Sequence, residues 1–303
     1  MNSEYSEIPH ITASTSIPAA MKMWQIFLSD QGKSNHTIKA FSGDLGLLTR
    51  FLPPDIIIGD ITTQDLNHFI DWLEQGRGKN IPCSPKSLSR RVTTLKSFFK
   101  WLFDHGRISQ DPAEKIVQHT VISPLPPVLN ANELSLVLEA AENYRLLEKP
   151  DVRPITLLKL LLETGIKKSE CLNIKLSHIE TSGENYLFVR YADGKDRNKE
   201  RKIPLSNEFA EIYQEYLEQY QPGEIVFPWS PRRLEYILED IGKDAGLEKH
   251  LSFSMCRWNS ALIDWDNGVD KDTIRQKLGI SKIQWREINI KLKKLSLSTK
   301  ETS

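Results

Sequence analysis

The sequence predicts a mainly α-helical protein with two domains, the second of which contains a small antiparallel sheet. Helices are predicted because apolar residues recur at helical spacing through most of the chain, between capping residues and Gly or Pro stops. The division into two domains follows from residues 121–128, which contain three prolines and no charged side chain, as extended linkers do. The sheet follows from two short strand-like segments, 186–191 and 201–205, with Asp193-Gly194 near the turn between them.

The chain length of 303 residues also favours about two domains. We expect a flexible N-terminus over residues 1–16, followed by a helical bundle over 17–118. A linker over 119–130 would lead to a second domain over 131–295, and residues 296–303 would form a flexible tail.

Helix boundaries are well marked along the chain. In the first half, helices are predicted to begin near Ile17, Ser34, Thr62 or Thr63, Ser84-Pro85 and, for a short fifth helix, Asp111-Pro112. In the second half, one helix begins at Asn130 or Asn132 and runs to about 143. The other helices of that half are predicted over 152–164, 168–175, 207–220, 231–245, 254–266, 270–278 and 282–293.

The composition limits the possible function classes. The 40 basic and 40 acidic side chains cancel, so a nucleic-acid-binding face would have to come from local segregation of charge. The cysteines Cys83, Cys171 and Cys256 form no CxxC pair, which argues against a structural zinc site and fits a reducing cytosol. The sequence contains neither a long apolar run nor the pattern of a signal peptide. We therefore expect a cytoplasmic protein with no metal and no membrane partner.

The fourth predicted helix has one apolar face and one basic face. No acidic residue interrupts the basic face before Asp104, and Arg91 lies between the two faces. A helix of this kind can lie along a phosphate backbone, which favours binding to double-stranded DNA. The alternative is an ordinary solvated face. The residues of the basic face are Lys86, Arg90, Lys96 and Lys100.

Four segments of the second half carry the pattern that points to a specific chemistry. They are a helix that ends at Thr-Gly before Ser-Glu, a hairpin with a basic turn, the start of a helix, and a helix that ends at Leu-Gly. They lie at 160–172, 191–205, 251–258 and 267–280. In content, order and spacing these segments resemble the motifs of the tyrosine recombinase, or phage integrase, family.

The resemblance implies a site that grips one backbone phosphate of DNA. Family members clamp this phosphate with two arginines; Arg257 matches the second, and Lys167 stands at the first. Lysine keeps the charge at that position but lacks the planar fork of a guanidinium. Lys195 matches the catalytic lysine of the hairpin, which donates a proton to the leaving oxygen. We expect these three cations to converge on one anion-sized pocket.

The remaining catalytic positions of the family hold residues that cannot perform its chemistry. Ser254 and Trp258 stand where the family has two histidines, and Ile280 stands where it has histidine or tryptophan. The tyrosine that attacks phosphorus and forms the covalent link corresponds to Asn289. No tyrosine follows Tyr236 in the chain. The resemblance thus implies a DNA-binding protein that has lost strand cleavage.

The resemblance also implies the fold and the partners. It implies an N-terminal SAM-like core-binding bundle and an α+β catalytic-type domain that together hold double-stranded DNA as a C-shaped clamp. No metal or nucleotide cofactor is needed, because the family's phosphotyrosyl bond stores the energy for religation. A member that does not cut could regulate, compete with or scaffold an active recombinase of a mobile element, or could form a homo-oligomer.

Two alternatives stay open. The protein could be an active recombinase with a displaced or trans-supplied nucleophile; Tyr236 is the nearest upstream candidate, although its helix pattern suggests core packing. His250, in the loop ahead of Ser254, is interpreted as an ordinary loop residue. The fold could instead serve only protein–protein contacts, with the last helix docking into another subunit. The residues considered for that contact are Ile290, Lys291, Leu292, Lys293, Lys294 and Leu295.

Overall fold

The computed structural model is mainly helical with one small antiparallel sheet, which confirms the fold class expected from the sequence. It describes residues 11–78, 81–118 and 124–301. Within these ranges, the side chains of Lys195 and of residues 299–301 are not described. No helix in the described ranges combines the length and the apolar character that a membrane span requires.

The first compact unit, Met1–Ser123, is a helical bundle whose helices begin at the capping residues expected from the sequence. The Ser34 hydroxyl accepts a hydrogen bond from the Thr37 N–H at 3.2 Å, and Thr62 and Asp65 form a reciprocal capping box. In the described part of this unit the helices are α1 (Ile17–Asp30), α2 (Asn35–Phe51), α3 (Thr63–Glu74) and α4 (Pro85–Asp104).

Aromatic rings form the centre of this first core. Trp24 is 1% exposed, stacks on Phe41 with ring centroids 5.5 Å apart, and meets Phe98 edge-on at 5.3 Å. This packing fixes the apolar face of α4 against the other helices and leaves its basic face outside. The buried apolar residues of α4 are Val92, Leu95, Phe98, Phe99 and Leu102.

The first unit departs from the sequence expectations in two places. Residues 11–16 are not loose, because Ile11 is buried and its carbonyl accepts a hydrogen bond from Arg107 at 3.2 Å. The short fifth helix was a wrong prediction: only turns follow Asp111 in residues 111–118. There the Asp111 carboxylate accepts from the Ala113 N–H at 2.8 Å, so a local side-chain bond replaces helical pairing. Residues 119–123 of the expected linker lie outside the described residues.

The second compact unit, Pro124–Ser303, is built around α6, whose Leu157, Leu158 and Leu160 are fully buried. The last helix is longer than predicted, because it continues past Lys293 into the expected tail. The described helices of this unit are α5 (Ala131–Asn143), α6 (Arg153–Thr164), α7 (Lys168–Cys171), α8 (Asn207–Tyr220), α9 (Pro231–Asp244), α10 (Phe253–Asp266), α11 (Lys271–Lys277) and α12 (Lys282–Glu301).

The sheet of the second unit has three antiparallel strands in the order β1 (Ile179–Glu180), β2 (Tyr186–Val189) and β3 (Arg201–Pro204). β2 and β3 are the two predicted strands, and Leu187 lies opposite Ile203 in their register. The two-residue β1 was missed because it is too short to show alternation.

A small apolar core, separate from the one around α6, joins the last three helices. It includes Ile280, which is 9% exposed, and Trp258 and Trp285 pack against it. This cluster holds α11 and α12 against α10. Its buried members are Ala261, Leu262, Ile274, Leu278, Ile280, Leu292 and Leu295.

Candidate functional site

A cleft of about 380 Å³ in the second unit brings together two of the three predicted phosphate contacts. Lys167 reaches it from the turn after α6, and Arg257 reaches it from the beginning of α10. The side chain of Lys195 lies outside the described part of the structure, so its place here stays a prediction. The other lining residues are Lys168, Glu235, His250, Leu251, Ser252, Phe253 and Ser254.

The turn that delivers Lys167 requires glycine at position 165. Gly165 ends α6 in the left-handed conformation, with φ of 59°, which side chains rarely adopt. A Cβ at this position would lie 3.0 Å from Ser260 Oγ and 3.2 Å from Leu278 Cδ2. The Thr-Gly pattern in the sequence therefore marks a close approach of the turn to α10.

Arg257 is held in place by two backbone carbonyls. Its Nη1 donates to Gly165 O, and its Nη2 donates to Leu278 O at 2.6 Å. A guanidinium has five N–H donors, so three remain for an anion in the cleft. Burial lowers the pKa of Arg257 to about 10, which still leaves the side chain charged at neutral pH.

A buried carboxylate lies behind the cationic pair. Glu170 accepts hydrogen bonds from Arg201 Nη2 at 2.9 Å, from the Lys167 backbone N–H at 2.8 Å and from the Tyr191 hydroxyl. Burial alone would raise the pKa of Glu170, but the bonds and charge of Arg201 and the bond from Tyr191 outweigh it and lower the pKa to about 2. Glu170 therefore remains ionised and anchors the turn that carries Lys167.

Arg201 was not identified from the sequence, although a signal for it exists. Side chains alternate along a strand, so Arg201 shares the inward face of β3 with the buried Ile203. Its side chain is only 9% exposed, and its Nε also donates to Lys277 O at 2.6 Å. An arginine at an inward strand position needs a buried partner, and here that partner is Glu170.

Lys167 is partly desolvated and electrostatically crowded. Its Nζ lies 3.8 Å from a Glu170 oxygen, and its side chain is 38% exposed. Burial lowers the pKa of Lys167, Glu170 opposes this effect, and the positive charge of Arg257 adds to it. An anion in the cleft would relieve the repulsion between the two cations and stabilise the protonated lysine.

The N-terminus of α10 adds backbone donors to the cleft. The Ser252 hydroxyl caps the helix by accepting from the Met255 N–H at 3.3 Å. Among the described residues, no protein acceptor takes the N–H of Phe253 or Ser254, and both residues line the cleft. Free N–H groups at a helix N-terminus, together with the helix dipole, favour a bound anion.

The positions that differ from the family motifs offer no replacement for the missing groups. Ile280 and Trp258 belong to the small apolar core, and Ser254 presents a hydroxyl rather than an imidazole. Asn289 lies on α12, and its Oδ1 is buried without a described hydrogen-bond partner. An amide cannot attack phosphorus as a phenolate does.

Two tyrosines of the second unit, Tyr236 and Tyr191, are candidates for the missing nucleophile. Core packing was expected for Tyr236, but its side chain is 39% exposed. Its hydroxyl accepts a hydrogen bond from Arg232 Nε at 2.6 Å. Tyr191, which was not predicted as a site residue, lies beside the cationic pair, and its hydroxyl donates a hydrogen bond to Glu170. Burial and that carboxylate raise the pKa of Tyr191 to about 12. Among the described residues, neither tyrosine lines the cleft.

The basic face of α4 in the first unit is partly neutralised from another helix. Arg90 forms a two-pronged ion pair with Asp44 of α2, and Asp44 is only 3% exposed. Thr94 donates to the same carboxylate at 2.9 Å, and Arg91 Nε lies 3.4 Å from it. The helical pattern of α4 does not reveal this partner of Arg90 and Arg91, because Asp44 comes from α2 rather than from α4.

Lys86 and Lys100 of α4 are exposed, and Lys96 is half-buried. Lys86 is exposed and makes no ion pair among the described residues. Lys96 Nζ donates to Glu114 O at 3.1 Å, and Lys100 pairs with Asp104 at 3.2 Å in an exposed contact. Lys96 and Lys100 also line an open depression of about 1050 Å³. These lysines retain positive charge that can face a phosphate backbone.

Comparison with known proteins identifies the family. The family model described as "Phage integrase family" matches residues 127–289, and the model "Phage integrase, N-terminal SAM-like domain" matches residues 21–106. The chain belongs to the phage integrase family. Both matches agree with the resemblance inferred from the four motifs.

Individual relatives support the same conclusion along most of the chain. The tyrosine recombinase XerD of Listeria innocua is 26% identical over 284 residues, which covers 88% of this chain and 92% of that protein. The XerD of Staphylococcus aureus is 27% identical over 280 residues, which covers 86% and 88%, respectively.

Solved structures share the fold. A lambda integrase dimer bound to a COC' core site has a TM-score of 0.70 at 19% identity and covers 89% of this chain and 94% of that one. The XerH site-specific recombinase bound to its difH substrate has a TM-score of 0.65 at 18% identity, with coverage of 90% and 80%.

Proposed function

We propose that this member of the phage integrase family binds duplex DNA through a backbone phosphate in the Lys167–Arg257 cleft and does not cleave the strand. The observation that carries the proposal is the convergence of Lys167, Arg257 and the α10 N-terminus on one cleft, while position 289 holds asparagine. The lambda integrase bound to a core site and the XerH recombinase bound to its difH substrate share this fold and support the choice of DNA as the ligand. Lys195 would join this cleft from the hairpin.

The cleft is suited to hold one phosphate diester. Arg257 retains donors beyond its two carbonyl bonds, and Lys167 contributes a point charge beside it. The free N–H groups of α10 supply directed donors of the kind that bind phosphate oxygens. Glu235 is the acidic lining residue, and its charge is neutralised by Lys168, whose Nζ lies 2.7 Å from a Glu235 oxygen. The remaining positive charge of Lys167 and Arg257 favours an anion.

The basic face of α4 would supply further backbone contacts in the first unit. Lys86 and Lys100, which are exposed, and the half-buried Lys96 are the lysines available for this purpose. Arg90 and Arg91 would contribute less, because Asp44 neutralises part of their charge. We also propose domain limits of 17–118 and 131–295 with a linker over 119–130, which the two compact units support.

The loss of cleavage is testable with a nicked suicide duplex, which traps a covalent protein–DNA adduct whenever a nucleophile attacks. We expect a shifted band on a native gel that weakens with added salt, and no slower-migrating adduct on a denaturing gel. An adduct would contradict the proposed inactivity, and the absence of any shift at low salt would contradict DNA binding.

A recombinase with a displaced nucleophile is the second candidate, because Tyr191 lies beside Glu170 and near Arg257. Its raised pKa and its contact with an ionised carboxylate do not favour attack on an anionic phosphate. If an adduct forms in the suicide assay, its loss in Tyr191→Phe or Tyr236→Phe identifies the nucleophile. Formation of an adduct that Tyr191→Phe abolishes would establish this second candidate.

The residues of α12 that could contact another subunit differ from those expected. Leu292 and Leu295 belong to the small apolar core and are not available to another subunit. The exposed apolar residues of α12 are instead Ile283, Ile290 and Leu297, which recur every seven residues on one face. This role would be supported if the wild type forms oligomers, if Ile290→Lys dissociates them, and if DNA changes the oligomeric state of neither protein.

A further inference from the structure

His250 lies in the same cleft as Lys167 and Arg257, although its sequence context suggested an ordinary loop residue. The loop is anchored on both sides of it. Leu251 is 1% exposed, and Lys249 Nζ donates to Val128 O at 2.9 Å and pairs with Glu133 at 2.7 Å. These contacts hold the backbone at position 250 beside the cleft while the histidine itself remains exposed.

The cleft has no imidazole at the position where the family motif places its first histidine, and a histidine from elsewhere can supply one. Ser254, at the position of the family's first histidine, lines the cleft but has no group that titrates near neutral pH. A protonated imidazole donates hydrogen bonds from both ring nitrogens and adds a positive charge. We propose that His250, from outside the motif position, is a phosphate-binding residue of this cleft and makes its DNA affinity increase as the pH falls. This inference rests on the proposed function.

Charged groups of both signs surround His250. Lys167, Lys168 and Arg257 are the cations that line the cleft with it, and Glu235 is the acidic lining residue. Glu239 of α9 also lies within electrostatic range, since its pKa is lowered chiefly by Lys243 and to a smaller extent by His250. A bound phosphate adds a negative charge at this point, and a protonated imidazole attracts that charge whereas a neutral one does not. Binding and protonation therefore strengthen each other.

The experiment measures the dissociation constant for a labelled random duplex at pH 8 and pH 6 at one fixed ionic strength. For the wild type we expect binding to be about fivefold tighter at pH 6, because protonation of His250 adds one charge-assisted contact in a solvent-accessible cleft. His250→Gln should remove most of that difference. His250→Arg should bind with similar affinity at both pH values, because its charge does not titrate.

The control is His68→Gln, which alters an exposed histidine of α3 outside the cleft and should behave as the wild type does. An unchanged pH dependence in His250→Gln, with DNA binding intact, would overturn this inference alone. Absence of binding by the wild type at both pH values would overturn the proposed function and this inference with it.

Discussion

Replacing Arg201 with methionine would leave the Glu170 carboxylate buried without its ion-pair partner. The two side chains are 9% and 1% exposed, and they are joined by hydrogen bonds of 2.9 and 3.1 Å. The pKa of Glu170 is about 2 instead of the ordinary 4.5, a difference worth about 3 kcal/mol in favour of the charged form. Breaking a buried pair from one side usually costs about 3–5 kcal/mol. We therefore expect Arg201→Met to lower the free energy of unfolding by about 3 kcal/mol.

The assay is urea unfolding of the full chain at pH 7, with amide hydrogen exchange followed separately in peptides of each compact unit. Separate readouts are needed because two domains can unfold independently. The matched control is Lys202→Met, the next residue of β3, whose side chain is 52% exposed and lies 3.5 Å from Glu184. That variant should change the stability by less than about 1 kcal/mol.

A second variant separates the ion pair from lost packing. In Arg201→Met with Glu170→Gln no charge is left buried, so this double variant should be more stable than Arg201→Met alone by more than about 1 kcal/mol. The reasoning is refuted if Arg201→Met costs less than about 1 kcal/mol, or if the double variant is no more stable than the single one.

Three further predictions concern Glu170, the turn at Gly165 and the ion pair of Asp44. The depressed pKa of Glu170 adds stability above pH 4.5 that is lost as the pH falls toward 2, so acid should destabilise the wild type between these values. The free energy of unfolding in urea, measured between pH 4.5 and 2, should change less with pH in Glu170→Gln. Gly165→Ala should lower the stability by about 1–3 kcal/mol and weaken DNA binding in a gel-shift titration, because the turn is left-handed and the new Cβ would press on Ser260; unchanged affinity would contradict this. Asp44→Asn should destabilise the first unit by about 2 kcal/mol, which is less than for a fully buried pair because Arg90 is 42% exposed. Unfolding followed by amide hydrogen exchange should show this loss in the first unit and no change in the second.

The local rules of helix formation predicted most of the fold. Ser34, Thr62, Ser84 and Asn130 cap helices where their positions suggested, because capping depends on residues only a few positions apart. The strand pair was predicted for the same reason, since alternation is visible within each segment. The fifth helix failed at Asp111, where a side-chain hydrogen bond to the backbone competes with helical pairing.

The candidate site was predictable only where the motifs place residues in a fixed local geometry. Lys167 and Arg257 meet because a left-handed glycine and a helix start direct them to one cleft. Contacts between distant segments could not be predicted, because the sequence does not show which charges meet in space. The pairing of Arg90 with Asp44 across helices is one such case, and the place of His250 in the cleft is another.

The central claim, that Lys167 and Arg257 contact a DNA phosphate in one cleft, is tested most directly by the salt dependence of duplex affinity. The slope of log Kd against log salt should decrease by about one in Arg257→Gln and likewise in Lys167→Gln, because each removes one cation from a phosphate. Lys243→Gln, which alters an exposed lysine of α9 outside the cleft, should keep the wild-type slope. Slopes that remain unchanged in both cleft variants would show that DNA does not bind there.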